Sequence, residues 1–222
     1  MSARRVIAIP AATGAQGDGL ARAILGDPAS AYSVGALQGA YGAFVVASDK
    51  EQTAAMARAA RAAKVQHVVL STREDSDESN LFAGIPTTFL LTSACWENLI
   101  DSGMGPKRGA DGRLALGLPS GDKKIPWIGA EDVGRCAYGI FKAGRAMIGK
   151  TIGVAGEHLS GRQLAAGLSR ALGEPVDYIS LEPQQYNDAY RAARDVNATR
   201  ALNPSLQRFD DWLRDNARRI PR

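Results

Sequence analysis

A chain of 222 residues has room for one α/β domain with a small lobe appended, and an apolar fraction of 45% can fill its core. The net charge of +4 comes from basic residues scattered along the chain, which speaks against a nucleic-acid groove and for a solvated surface. No apolar run reaches the length of a membrane span, and Arg4-Arg5 leads into a short first strand rather than a signal peptide. Cys95 and Cys136 lie far apart in apolar contexts, without metal spacing or a secretory setting, so reduced core thiols and a cytoplasmic location are expected. Apolar runs of strand length fall at residues 6–9, 43–46, 65–70, 87–91, 151–154 and 176–181. Helical periods lie between them at 17–25, 52–63, 131–143 and 161–172. The last of these follows a capping box, Ser160 with Gln163, and stops at Gly173. A final helix is expected with Asn203 as its cap and Pro204 at its first position. Strands alternating with helices call for a parallel sheet covered on both faces.

The first strand runs straight into a glycine-rich turn and a helix. That geometry offers free backbone N–H groups and a helix dipole to a pyrophosphate. In G-x-x-G-x-x-G spacing the three positions are Ala11, Gly14 and Gly17, so an alanine stands where the tight turn favours glycine. Asp18 follows the third position; it suits a bare helix N-terminus but opposes an anion bound there by roughly 1–3 kcal/mol at an effective dielectric near 20.

Two connections are short. Between Leu25 and Ala43 a strand, a helix and another strand cannot fit, although residues 32–34 could form a remnant strand. The sheet is therefore expected to be narrow, with the strand at 43–46 directly beside that at 6–9. The charged connection from Ser71 to Pro86 can hold about two helical turns, ending at Gly84. Residues 113–118 look like a strand that turns through Pro119-Ser120-Gly121-Asp122 into 123–128, a hairpin in a smaller lobe.

Several residues invite a chemical reading. Tyr138-Gly139-Ile140-Phe141-Lys142 spells Y-x-x-x-K, an acid/base pair of short-chain dehydrogenases, but its helix follows Glu131-Asp132 and no serine stands at the expected place upstream. Ser71 and Thr72, Ala47 and Ser48, and Thr92 and Ser93 all stand at the carboxyl ends of strands, where open α/β sheets bind ligands. His67 in a strand and His158 in a loop have no second ligand at metal spacing, so both read as structural and no metal is expected. Trp96, Trp127 and Trp212 read as core or lobe-interface aromatics.

An ordered set of short motifs resembles the NmrA-like branch of the atypical short-chain dehydrogenases/reductases. It comprises Ala12-Thr13-Gly14-Ala15-Gln16-Gly17, Gly39-Ala40-Tyr41-Gly42-Ala43-Phe44-Val45-Val46 and Val65-Gln66-His67-Val68-Val69-Leu70-Ser71-Thr72. Further on come Gly84-Ile85-Pro86-Thr87-Thr88-Phe89-Leu90, Trp96-Glu97-Asn98-Leu99, Ala130-Glu131-Asp132-Val133-Gly134 and Leu202-Asn203-Pro204. The resemblance implies an α/β fold: a narrow, mostly parallel, doubly wound Rossmann-like sheet with helices on both faces and a smaller C-terminal lobe. Residues 1–95 with 130–157 would form the nucleotide-binding core, and 96–129 with 158–222 the lobe, interleaved into one unit.

The resemblance also implies a cofactor, NADP or NAD, held by Ala11, Thr13, Gly14, Ala15, Gln16 and Gly17, with Ala47, Ser48, Ser71, Thr72 and Thr92 along the rim. Relatives either sense the nicotinamide redox state or reduce small molecules. The expected function is an NAD(P)(H)-binding sensor or regulatory module with weakened cofactor binding. The alternatives are an NADPH-dependent reductase of a small carbonyl or quinone, and a minimised chain that keeps the fold without the ligand. Partners are the dinucleotide, with room for a protein partner or a homodimer, and neither nucleic acid nor membrane. Set against the family pattern, the chain is shortened inside. The second strand and the loop whose Arg reads the NADP 2′-phosphate are expected to be missing, the helix between Ser71 and Pro86 is cut to a stub, and a segment is lost before Tyr186-Asn187-Asp188-Ala189-Tyr190.

Overall fold

The computed structural model describes residues 4–10, 14–47, 49–73, 78–181 and 193–221. Its strands are β1 (Arg5–Ala8), β2 (Tyr32–Gly35), β3 (Gly42–Val46), β4 (His67–Thr72), β5 (Thr87–Leu91), β6 (Ala94–Cys95), β7 (Lys107–Arg108), β8 (Leu114–Leu118), β9 (Ile125–Ile128), β10 (Thr151–Gly153), β11 (Glu157–Leu159) and β12 (Val176–Ser180). The helices are α1 (Ala15–Leu25), α2 (Lys50–Ala62), α3 (Glu78–Leu81), α4 (Asn98–Asp101), α5 (Ala130–Ala143), α6 (Gly161–Leu172), α7 (Val196–Leu202) and α8 (Phe209–Asn216).

Six strands form one parallel sheet in the order β10-β5-β4-β3-β1-β2. Side chains alternate across it, and both sets are apolar. Ile7, Phe44 and Val69 point into a core with Leu20 and Ile24 of α1 and Val133 and Ile140 of α5. Their neighbours Ala8, Ala43, Val45, Val68 and Leu70 point the other way, against Ala57 and Ala60 of α2. A strand that is apolar at every position must be covered on both faces, and this one is. α1 and α5 can lie very close because each carries a glycine at the contact. A Cβ on Gly19 would overlap the Glu131 carbonyl oxygen, and one on Gly134 would overlap the Gln16 carbonyl oxygen and the Leu20 nitrogen.

A second core joins Trp96, Leu116, Trp127, Leu164, Leu168, Phe209 and Trp212. Around it stand two three-stranded sheets, β11-β9-β6 and β12-β8-β7, with α6 and α8. α6 has the expected capping box: the Gln163 N–H donates to Ser160 Oγ (3.3 Å) and the Ser160 N–H to Gln163 Oε1 (3.0 Å). It ends at Gly173 with φ of 73°.

Four expectations need correction. The second strand is present: Tyr32–Gly35 pairs in parallel with β1 over its whole length, and β3 lies on the other side of β1, as expected. The connection from β2 to β3 is only residues 36–41, which crosses β1 without a helix. The strands at 114–118 and 125–128 do not form a hairpin, since β8 pairs with β12 and β7 while β9 pairs with β11 and β6. His158 lies in β11, not in a loop. Asn203 ends α7 rather than starting a helix. Its side chain donates to Asp132 Oδ1 (2.8 Å) and accepts from the Ser205 N–H (3.1 Å), and that local turn leaves Pro204 outside any helix. Asp132 is fully buried; burial raises its carboxyl pKa, and donors from Gln207 N, Asn203 and Arg135 oppose the rise.

Candidate functional site

The carboxyl ends of β1, β3, β4 and β5 and the start of α1 share one edge of the sheet. α1 begins at Gly14, extended at φ −83° and ψ 151°, with no side chain to cap it. Among the described residues the first-turn N–H groups of Ala15, Gln16 and Gly17 therefore meet no acceptor and face this edge. α5 enters the core from the same side, yet its first N–H is already taken. Glu97 Oε2 accepts from the Ala130 N–H (2.9 Å), while Glu97 Oε1 takes the Trp212 indole N–H (3.0 Å). One helix start is closed by the protein's own carboxylate; the other is open.

Gln16 reaches from that open turn to the end of β4, where Ser71 Oγ donates to Gln16 Oε1 at 2.7 Å. The Ser71 carbonyl in turn accepts from the Ala47 N–H (2.9 Å), which binds the carboxyl ends of β3 and β4 together. The Thr92 N–H donates to the Thr72 carbonyl (3.1 Å) and ties in β5. Ser93 is spent on packing, because its hydroxyl donates to the Val154 carbonyl (2.9 Å). So Gln16, Ser71 and Ala47 form one contiguous group and Thr72 and Thr92 another, side by side on β4 and β5. Ala11, Thr13 and Ser48 lie outside the described residues, as do Tyr186-Asn187-Asp188-Ala189-Tyr190.

A residue missed by sequence reasoning stands behind this edge. Arg194 is fully buried, and its Nε (3.1 Å) and Nη2 (2.6 Å) both donate to the Thr92 carbonyl. Its own carbonyl meets His158 Nε2 (2.9 Å). Nothing in the local sequence marks Arg194, whose burial is set by strands distant in the chain.

The donor set fits a pyrophosphate at the open turn. Asp18 opposes it less than its charge suggests, because the carboxylate is paired with Arg22 one turn along (2.7 Å). The adenosine end fits less well. β2 stops at Gly35, level with Ala8 of β1, and residues 36–41 carry neither an acid for a ribose nor a base for a 2′-phosphate.

The Y-x-x-x-K residues are elsewhere. The Tyr138 hydroxyl donates to Asp27 Oδ2 (2.7 Å) and Lys142 Nζ stands 4.8 Å over the Tyr138 ring. Asp27 follows α1 and precedes β2, so this group lies at the amino edge, across the sheet from the phosphate turn. Cys95 and Cys136 are held protonated: burial raises the Cys95 thiol to about 12 and pushes that of Cys136 higher still. Among the described residues no cluster of His, Cys, Asp and Glu could hold a metal, and no helix is long and apolar enough to cross a membrane.

Comparison with known structures places the fold. The chain superposes on NmrA, a negative transcriptional regulator, in complex with NADP, with a TM-score of 0.75 and 22% identity, covering 96% of this chain and 95% of that one. Triphenylmethane reductase from Citrobacter sp., complexed with NADP(H), matches at TM-score 0.70 and 14% identity over 95% of this chain and 99% of the other. An NADPH-dependent quinone oxidoreductase from Escherichia coli matches at 0.65 and 18%, over 95% and 98%. The model of the NmrA-like family matches residues 82–216, more than half of the sequence, and the chain belongs to that family.

Proposed function

We propose that this NmrA-like chain binds a nicotinamide dinucleotide, NAD or NADP, across the carboxyl edge of the six-stranded sheet, and serves as a redox-sensing or regulatory module rather than a reductase. The observation that carries the reading is the bond between Gln16 and Ser71. It ties the uncapped first turn of α1 to the end of β4, next to the hydroxyls expected to border a nicotinamide. Family membership supports the cofactor class, since solved relatives hold NAD or NADP. When bound, the dinucleotide supplies a hydride acceptor or donor. The residues of this chain bind its phosphates on N–H groups and hold its nicotinamide beside Ser71, Thr72 and Thr92.

The protein offers no charged side chain on residues 36–41, so NADPH is expected to bind no more tightly than NADH. Calorimetric titration of the pure protein with both, followed by an assay with a quinone as acceptor, tests the proposal. Binding without turnover supports it. Turnover of a carbonyl or quinone overturns the sensor role in favour of an NADPH-dependent reductase. Failure to bind either dinucleotide leaves a chain that keeps the fold alone. A preference of tenfold or more for NADPH, about 1.4 kcal/mol, would require a phosphate-binding base elsewhere, such as Lys50 or Arg73.

A further inference from the structure

The six-stranded sheet ends differently on its two sides. Beyond β10 the edge is covered, because Gly153 bridges in parallel to Arg194, and Val196 and Leu202 of the following helix pack on the core. Beyond β2, among the described residues, no strand follows. The Arg5 N–H donates to the Ala31 carbonyl (2.9 Å), which fixes the phase of the ladder. Ala31, Ser33 and Gly35 face β1, whereas the backbone groups of Tyr32 and Val34 face outward. The Tyr32 N–H is blunted locally by Ser30 Oγ (3.1 Å). Among the described residues the Tyr32 carbonyl, both Val34 groups and the Ala36 N–H meet no partner.

Edge strands are ordinarily guarded by shortness, a lysine, a proline or a bulge. β2 is short, at four residues, but carries no lysine, proline or bulge. Residues 28–48 contain no charged side chain, in a chain that is 23% charged. The charges that border this strip are turned onto the chain's own groups: Asp27 takes the Tyr138 hydroxyl and the Ala29 N–H, Arg4 donates to the Pro28 carbonyl, and Arg5 stacks on Tyr41. Leu25, at the end of the helix packed on β2, is 73% exposed, and Val34 is 36% exposed. Depletion of charge with apolar residues left outside marks the middle of a protein interface.

We propose that β2 is a dimer interface, at which a second copy of this chain pairs its own β2 antiparallel about a two-fold axis through Val34. The free groups are self-complementary about that axis. Val34 offers a donor and an acceptor in one residue, so the two copies exchange a reciprocal pair of Val34 bonds. Each Ala36 N–H then meets the Tyr32 carbonyl of the other copy. The Tyr32 N–H, which such pairing would leave facing the Ala36 carbonyl, is the one group already satisfied by Ser30. A charged partner would find nothing on this strip to recognise, while two copies of an uncharged strip meet without repulsion.

The axis places Val34 opposite itself, and that gives the test. Light scattering behind a sizing column should give twice the chain mass at about 100 µM, well above the micromolar range of weak specific complexes. Val34→Lys sets two like charges opposite each other and should give monomers, as should Val34→Glu. Mixing the two variants should restore the dimer. A monomeric wild type, a dimeric Val34→Lys, or a mixture that fails to pair would each overturn the proposal. Rescue on mixing separates loss of the contact from local unfolding, because unfolded variants cannot rescue each other.

Discussion

The two edges of the six-stranded sheet carry opposite kinds of residue. The amino edge has those that look reactive: Tyr138, Lys142, Asp27, Tyr32 and His67. Each has a partner within the fold: Tyr138 donates to the surface Asp27, Lys142 Nζ lies over the Tyr138 ring, the Tyr32 hydroxyl donates to the Phe141 carbonyl (2.6 Å) and His67 stands edge-on against the Phe141 ring. The carboxyl edge, among the described residues, brings together an amide, several hydroxyls and a bare helix turn; Ser71 and Thr72 are buried there, and the first turn of α1 is what faces out. The difference comes from helix and strand polarity. Parallel strands aim their carboxyl ends, and the first turns of the helices that follow, at one side of the sheet. A side chain's place relative to the strand ends therefore outweighs the motif it happens to spell.

The contact that joins the two edges should give the largest effect. α5 runs alongside α1 from one edge to the other, and Gly134 sits where the helices touch. Gly134→Val would force the backbone of α1 away, since the atoms in the way are main chain and cannot rotate aside. Overpacking of this kind costs about 3 kcal/mol or more, a fall of roughly 6–12 °C in melting temperature for a chain of this size. Thermal unfolding checks it; an unchanged midpoint would mean that the helices separate freely.

His67 should come next, and it acts only at the amino edge. Thr88 Oγ1 donates its proton to the Met147 carbonyl (2.8 Å), so it can only accept from His67 Nε2 (2.8 Å). Among the described residues His67 Nδ1 meets no partner, and the ring is fully buried and neutral. Burial lowers its pKa from 6.5 to about 4. The unfolded chain thus takes up a proton in a pH range where the folded chain does not. Stability is complete above pH 6.5 and falls by about 3 kcal/mol as the pH drops to 4. Urea unfolding of wild type and His67→Gln between those limits should show the difference narrowing with acid. Parallel curves would show that His67 is protonated in the fold.

Much of this architecture could be read from the sequence, and the misses share a cause. The strands of the sheet announced themselves as short apolar runs, and α6 by its capping box and Gly173. Local chemistry sets those features. β2 was harder to see because an edge strand needs little apolar periodicity, and only Tyr32 of its four residues is buried. Residues 114–128 looked like a hairpin because a Pro-Ser-Gly-Asp turn joins two strands, but partners far along the chain, β12 and β11, decide their pairing. Asn203 has the letters of a helix cap; the buried Asp132, 71 residues away, claims its side chain. At the candidate site the strand ends and the start of α1 were legible from spacing. Their mutual contact was not, and neither was Arg194, because both depend on how separate units dock.

The bond from Gln16 to Ser71 should matter to ligand more than to fold. Both Gln16→Ala and Ser71→Ala remove it, and each should weaken dinucleotide binding by about tenfold, near 1.4 kcal/mol, with little change in melting temperature of the free protein. If the two side chains act as a unit, the double variant should bind no worse than either single one, since there is one interaction to lose. Additive losses in calorimetry would mean that each touches the ligand separately, and no loss would detach this edge from the cofactor altogether.

The smallest effect is expected at the pair that most resembles a catalytic one. Tyr138→Phe keeps the ring against Tyr32 and under Lys142 Nζ, and removes only the hydroxyl that donates to Asp27. Asp27 remains at the surface, where water replaces the lost donor, so the melting temperature should fall by about 2–4 °C at most. Dinucleotide affinity, and any turnover the protein has, should not change, because the hydroxyl lies at the edge of the sheet away from the open turn of α1. Lys142→Ala should behave alike. The informative measurement is affinity at matched stability. A loss of binding or turnover in Tyr138→Phe without a matching loss of fold would place chemistry at the amino edge and reverse the comparison between the two.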